Sequence, residues 1–509
     1  MENIQINPVF SDHMVLQRDK EIVIWGTAEE DCSINVRLNH VSETVWAKAG
    51  KWRTALPPMS AAEGLELVVS DGREELRITD VAIGEVWIAG GQSNMEFWMR
   101  YEKHYQEILP SCHNPNIRFY DMPKLAYDGQ ENDFDYHNVG IWRKADRNNL
   151  EYFSAVGYYM AERLEEKLGI PIGVIGCNWG GTKSLSWMKE EHAKEIQKGQ
   201  TESFYLKLKG QSYDVFCRTA GKNAMNDTGN SVWNPFNDFI LPGTPSEEEI
   251  KEFIGQGISM ESMMELAKPQ DAPGALYRHM VQRLAPYTVR GVLWYQGESD
   301  DETGETQKNY KAALAAIKED WRDAWGNPGL PFFIVQLPGF SSWFGCVNRG
   351  FSIVRECQQQ AVDEDPDAYL CSISDAGEEF DIHPKDKRVV GERLALLAEK
   401  YVYGKNILAD APRLRGIRRE GQKIVLSFQN AEGGLFLKGG EVNALAVSDG
   451  GEEIRYSAAV SGEEIVITLC KDVPGALTVK FARGPWYQVN LYNRAGIPAI
   501  PFETVCPGA

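Results

Sequence analysis

Glu85-Val-Trp-Ile-Ala-Gly-Gly-Gln-Ser-Asn-Met-Glu96 decides how this chain is read. Residues 85–89 form an apolar run suited to a buried strand, the two glycines permit a tight turn, and a helix-like run starts near Met95. Ser93 then sits at a strand's carboxyl end and a helix's amino end. Free N–H groups and the helix dipole there would stabilise a developing oxyanion. A plainer reading stays open, in which Ser93 or Asn94 only caps the helix. The segment is not G-x-S-x-G, because Met95 stands in the last position, so an α/β-hydrolase elbow is disfavoured.

The same strand-then-helix rhythm extends outward from this stretch. Strand-like runs at 116–120, 172–175, 291–295, 332–335 and 368–371 alternate with helical patterns at 155–168, 310–325 and 389–403. The helices are stopped by Gly169, Gly326 and Gly404. Such alternation predicts a mainly parallel sheet covered by helices, with ligands at the carboxyl ends of its strands. Residues 1–80 read as a small β-sandwich, with strands at 21–25, 33–38, 65–69 and 76–78. Residues 406–509 read as a second β domain, with strands at 423–428, 454–456, 464–469 and 477–481. Whether the two β ends pack together is left open. Residues 81–405 form the α/β domain, interrupted at 190–280 by a polar insertion with Gly, Pro, Asn and Asp clustered from Asn223 to Pro245. An acidic helix is expected from Ser246. The insertion reads either as a lid or as a plain surface excursion.

Three further motifs follow strands or lie near the last helix. Gly176-Cys-Asn-Trp-Gly180-Gly181-Thr182-Lys183 lacks the Lys directly after Gly181 that a phosphate loop needs. Gly180-Gly181 instead offers a bare backbone N–H to a substrate oxygen. Trp294-Tyr-Gln296-Gly-Glu298-Ser-Asp300 supplies an amide donor in Gln296, with Glu298 orienting a neighbour or capping a turn. Asp381-Ile-His383-Pro384 places a carboxylate two residues before a histidine. On an extended segment both face one side, so the carboxylate could hold Nδ1 while Nε2 faces a nucleophile. The four motifs together supply a nucleophile, two oxyanion donors, a base and an orienting acid. No metal-ligand pattern competes with them.

Composition narrows the partners. The chain has 509 residues, enough for about three domains. Its net charge of −20 argues against a nucleic-acid groove or an anionic membrane surface. No apolar run reaches the ~18 residues of a membrane span, and the start lacks the basic and apolar regions of a signal peptide. Nine scattered cysteines, never spaced CxxC, favour reduced thiols and a cytoplasmic setting. Fourteen tryptophans allow sugar-stacking platforms or a Trp-rich core. Trp179, Trp187 and the pair Trp343-Phe344 are the candidates.

The four motifs, with Phe10-Ser-Asp-His-Met-Val-Leu-Gln-Arg18 near the start and Asn490-Leu-Tyr-Asn493 near the end, resemble the sialate O-acetylesterase family of SGNH-type hydrolases. The resemblance spans nearly the whole chain. It implies a flavodoxin-like three-layer α/β/α catalytic domain flanked by β domains, and hydrolysis of O-acetyl esters on sugars without a cofactor. By the same resemblance, Ser93 is the nucleophile and His383 the base. The Ser93 N–H, the Gly181 (or Gly180) N–H and the Gln296 side chain form the oxyanion hole. Asn94 and Glu298 are orienting residues. Asp381 is the expected triad acid, although the wider SGNH pattern places Asp three residues before His, where this chain has Phe380. The implied substrates are O-acetylated sialic acid or acetylated xylo- or manno-oligosaccharides. Two other classes stay open: a carbohydrate-binding protein with an inactive hydrolase domain, and a lipase or thioesterase.

Overall fold

Glu75–Gly91 runs as a single 17-residue strand in the computed structural model, which describes residues 4–133, 140–220, 235–243, 245, 246, 248, 249, 252, 267–343 and 346–508. The strands expected at 76–78 and 85–89 are therefore parts of one element. Its first half pairs antiparallel with Ala62–Ser70, and its middle pairs parallel with Val15–Gln17. Its second half pairs parallel with Ile172–Asn178 and Gly291–Tyr295. One chain segment thus passes from an antiparallel β region into a parallel sheet.

The protein is a mixed α/β fold of two compact units, Met1–Gln296 with Ala312–Phe332 and Gly297–Lys311 with Phe333–Ala509. In the first unit the parallel sheet has the strand order Trp142–Ala145, Asn114–Asp121, Ile172–Asn178, Glu75–Gly91, Gly291–Tyr295, with only the edge strand Trp142–Ala145 antiparallel. Every residue of Ile172–Asn178 and Gly291–Tyr295 is buried. That is why these strands read as continuous apolar runs rather than as alternations. The helix Ala155–Leu168 starts where Ser154 Oγ accepts the Gly157 N–H and stops at the left-handed Gly169. A separate antiparallel sheet joins Ile4–Ile6, Ile22–Ala28 and Lys51–Leu56.

The second unit contains the strand Phe332–Val335 from Phe333 onward, the strand Ala368–Cys371 and the helices Phe351–Asp363 and Arg388–Tyr401. Two four-stranded sheets at its C-terminal end share one core that includes Ile424, Leu426, Phe428, Ile465, Ile467, Leu477 and Val479. The strand expected at 454–456 is displaced. Ile454 falls between Glu452–Glu453 and Tyr456–Ser461, with its N–H on the Val447 carbonyl and its side chain in that core. The helix expected from 310 begins earlier, at Gly304. Thr303 Oγ1 accepts the Thr306 N–H there, a capping signal that the apolar periodicity does not contain.

Most of the cluster from Asn223 to Pro245 lies outside the described residues, as does most of the helix expected from Ser246. The described start of that helix is a capping box, with Ser246 Oγ accepting the Glu249 N–H and the Glu249 carboxylate accepting the Ser246 N–H. No helix among the described residues is long and apolar enough to cross a membrane.

The turn after the long strand gives a stability test. Gly91 has φ +132°, and a Cβ on it would lie 2.1 Å from the Tyr295 carbonyl oxygen, whereas Gly169 has φ +63° and open space around it. Gly169→Ala is expected to cost about 1–2 kcal/mol of left-handed strain. Gly91→Ala is expected to cost more than about 3 kcal/mol or to prevent folding. Urea unfolding of the two variants checks this, and equal losses would contradict the close approach.

Candidate active site

The Gly91 turn sets the position of Ser93. Gln92 donates its N–H to the Tyr295 carbonyl at 3.0 Å, and its own carbonyl accepts the Met95 and Glu96 N–H groups. The helical turn is Ser93–Glu96, with Gln92 as its N-cap. Ser93 is therefore the first helical residue and not a cap. Four residues make too short a helix for an appreciable macrodipole, so the turn offers individual N–H groups rather than a helix field. Asn94, Met95 and Glu96 are buried, and Ser93 is only partly so. Asn94 is enclosed at 1% exposure.

The Gly180-Gly181 loop packs directly against this turn. Trp179 donates its N–H to the Gly91 carbonyl at 3.0 Å, and Gly180 donates its own to Glu96 Oε2 at 2.7 Å. A Cβ on Gly180 would stand 3.2 Å from the Ser93 Cβ. Gly181 has φ +72°, is exposed, and has open space where a Cβ would be. Of the two glycines, Gly180 has its donor committed to Glu96, and Gly181 is the exposed one. Gln296 is fully buried, and its Nε2 lies 3.2 Å from both Gln92 Oε1 and the Thr182 carbonyl. Both amide hydrogens thus tie the Ser93 turn to the glycine loop, and an ester oxygen would have to displace one of these bonds to be held by Gln296.

Glu96 and Lys124 complete this corner, and neither stood out in the sequence as a functional residue. Lys124 Nζ pairs with Glu96 Oε1 at 2.8 Å. Burial alone would lower the Lys124 ammonium, but Glu96 and Asp121 outweigh it and hold it raised. Burial pushes the Asp121 carboxyl up to about 6 against the pull of Lys124.

The tryptophans correct an expectation. Trp187 is fully buried and meets Trp294 edge-on at 6.0 Å and Trp321 at 6.4 Å. Its Nε1 donates to Thr182 Oγ1 at 3.0 Å. Trp179 is only 5% exposed. Both belong to the packing beneath the loop, and neither presents a face to a sugar.

In the second unit His383 is buried, with Trp343 edge-on to its ring at 4.9 Å. Phe344, the other member of that aromatic pair, lies outside the described residues. The expected Asp381–imidazole bond is not formed. The segment is bent rather than extended, and Asp381 Oδ1 accepts the His383 backbone N–H at 2.8 Å while standing 3.7 Å from Nδ1. Its other oxygen pairs with Lys385 Nζ at 2.9 Å. At a spacing of two residues a short Asp side chain reaches the backbone more readily than the ring. Asp381 therefore shapes the turn and does not hold the imidazole.

Two cations act on this histidine. Burial, then Lys387 and Lys385, holds the His383 imidazole well below its usual value. Lys387 is itself fully buried and pushed down to about 7 by burial and by Lys385, with Glu298, Asp381 and Glu378 pulling the other way. Glu298 opens the short helix Glu298–Asp301 and is 6% exposed, and its charge acts to raise the Lys387 ammonium. Lys387 was missed as a functional residue because nothing in Asp-Ile-His-Pro-Lys-Asp-Lys says which lysine is buried.

The chain is similar to known carbohydrate esterases. Residues 254–398 match the family described as carbohydrate esterase, sialic acid-specific acetylesterase. The chain is 25% identical over 437 residues to sialate O-acetylesterase of Homo sapiens, covering 79% of this chain and 72% of that protein. It is 24% identical over 444 residues to the Mus musculus protein of the same name, covering 79% and 74%. A solved carbohydrate acetylesterase from Xanthomonas citri superposes with a TM-score of 0.75 at 26% identity, covering 98% of this chain and 99% of that one. Over residues 254–398 the chain is thus similar to the sialic acid-specific acetylesterases, and over most of its length to sialate O-acetylesterases and to a solved carbohydrate acetylesterase.

Proposed function

We propose that this carboxylic ester hydrolase removes O-acetyl groups from carbohydrates through an acetyl-serine intermediate. The observation that carries this is Ser93, partly exposed on a turn against which the Gly180-Gly181 loop packs, with Gly181 itself exposed. In this reading residues 81–405 form an SGNH-type catalytic domain between β domains at 1–80 and 406–509. Ser93 Oγ attacks the acetyl carbonyl while His383 takes its proton. The Ser93 and Gly181 N–H groups hold the oxyanion, and Gln296 joins them by giving up one of its two amide bonds. The sugar hydroxyl leaves with the proton from His383. Water, deprotonated by His383, then releases acetate and restores Ser93. Because Asp381 is committed to the backbone and to Lys385, the mechanism runs on a Ser–His dyad rather than on a triad with Asp381. The substrates are O-acetylated sialic acid or acetylated xylo- or manno-oligosaccharides, met in a cytoplasmic setting.

The direct test is acetate release from O-acetylated sialic acid and from acetylated xylo- or manno-oligosaccharides, each with Ser93→Ala as control. Ser93→Ala should retain less than about 0.1% of wild-type turnover while folding normally. Retained activity above a few per cent would remove Ser93 from the mechanism. Release from neither substrate by folded wild-type protein would favour a binding protein instead.

The pH profile tests His383. Its depressed basicity keeps the imidazole neutral into mild acid, so the acid limb of kcat/KM should fall below pH 6.5. Lys387 is mostly cationic in that range and repels the proton. Lys387→Met removes the repulsion and should move the limb to higher pH, and a limb that stays put or moves lower would contradict this electrostatic account.

A further inference from the structure

Glu96 ends the helical turn that Ser93 begins, and its carboxylate joins two segments distant in sequence. Oε2 takes the Gly180 N–H at 2.7 Å, and Oε1 takes the Lys124 ammonium at 2.8 Å. Glu96 is 4% exposed, so these charge-assisted bonds operate away from bulk water. The loop it grips is the one whose Gly180 lies against Ser93. Two adjacent glycines leave that backbone many conformations, and few of them aim an N–H at the serine. An external acceptor for one N–H sets the plane of its peptide and thereby restricts the direction of the next.

We propose that Glu96 is a positioning residue for deacetylation: by engaging the Gly180 N–H it fixes the Gly181 N–H as the loop's donor to the ester oxygen beside Ser93. Lys124, paired with Oε1, holds the Glu96 carboxylate in place. The inference rests on the assignment of Ser93 as nucleophile.

Two opposite conservative changes separate positioning from charge balance. Glu96→Asp keeps the charge facing Lys124 but is one methylene too short to reach Gly180. Glu96→Gln keeps an amide oxygen at the right reach but loses the charge. With 4-nitrophenyl acetate and the full chain, Glu96→Asp should lower kcat about 100-fold with KM within about 3-fold of wild type. Glu96→Gln should hold kcat within about 5-fold. If Glu96→Gln leaves Lys124 too poorly compensated to fold, the neutral pair Glu96→Gln/Lys124→Met replaces it. Equal kcat in the Asp and Gln variants, or the reverse order, would overturn the proposal. An active Ser93→Ala control would instead overturn the nucleophile assignment, whereas an inactive control beside equal Glu96 variants would overturn this inference alone.

Discussion

The backbone at Gly91 passes so close to the Tyr295 carbonyl that no side chain fits between them, and the positions around Ser93 depend on that approach. It brings the ends of two parallel strands together, directs the Gln92 N–H onto Tyr295, and leaves the Gln92 carbonyl to start a helical turn. The Gly91 carbonyl in turn receives the Trp179 N–H, which brings the glycine loop alongside. Three strand ends are thereby tied through backbone groups before any side chain acts. Gln296 then spans the same three points with its amide. A nucleophile mounted on such a turn keeps its place because the bonds that hold it belong to the sheet.

Buried charge is handled the same way elsewhere in the first unit. Glu85, fully buried where the long strand enters the parallel sheet, accepts from Arg18, from Gln17 and from both ends of the Arg290 guanidinium. A buried carboxylate costs several kcal/mol unless it is fully paired, and four donors offset that cost here. Gln17 and Arg18 belong to the opening motif at residues 10–18, whose place in the chain is therefore structural. The closing motif behaves alike. Asn493, fully buried, donates to the Asp410 and Asn430 carbonyls and accepts the Ala495 and Ile497 N–H groups. In both terminal motifs polar side chains satisfy buried polar groups, a carboxylate in the first and backbone in the second.

In the second unit electrostatics, more than hydrogen bonding, sets the character of His383. Its depressed basicity is assigned first to burial and then to two lysines. A base of low pKa is weaker but stays unprotonated over a wider range of acidity. The carboxylates nearby, Asp381 and Glu298, act mainly on Lys385 and Lys387 rather than on the ring. An arrangement that looks like Asp-x-His in sequence thus becomes a histidine flanked by cations.

The sequence by itself determined the alternation of strands and helices, the helix stops at Gly169 and Gly326, and the gathering of Ser93, Gly180-Gly181 and Gln296 at strand ends. These depend on local periodicity, turn chemistry and motif order, which a linear string preserves. The last helix, by contrast, ends at Tyr401, ahead of the expected stop at Gly404. Tertiary structure alone decided which partners those residues take. Glu96, 84 positions before Gly180, claims its N–H. Thr182 and Gln92 claim the Gln296 amide. Trp294 and Trp321 bury Trp187. The His383 backbone N–H claims Asp381 Oδ1 in place of the ring, and burial singles out Lys387 among its neighbours. Each outcome is a competition for hydrogen-bond partners or for solvent between groups far apart in the chain, and the residue types alone do not say which partner wins.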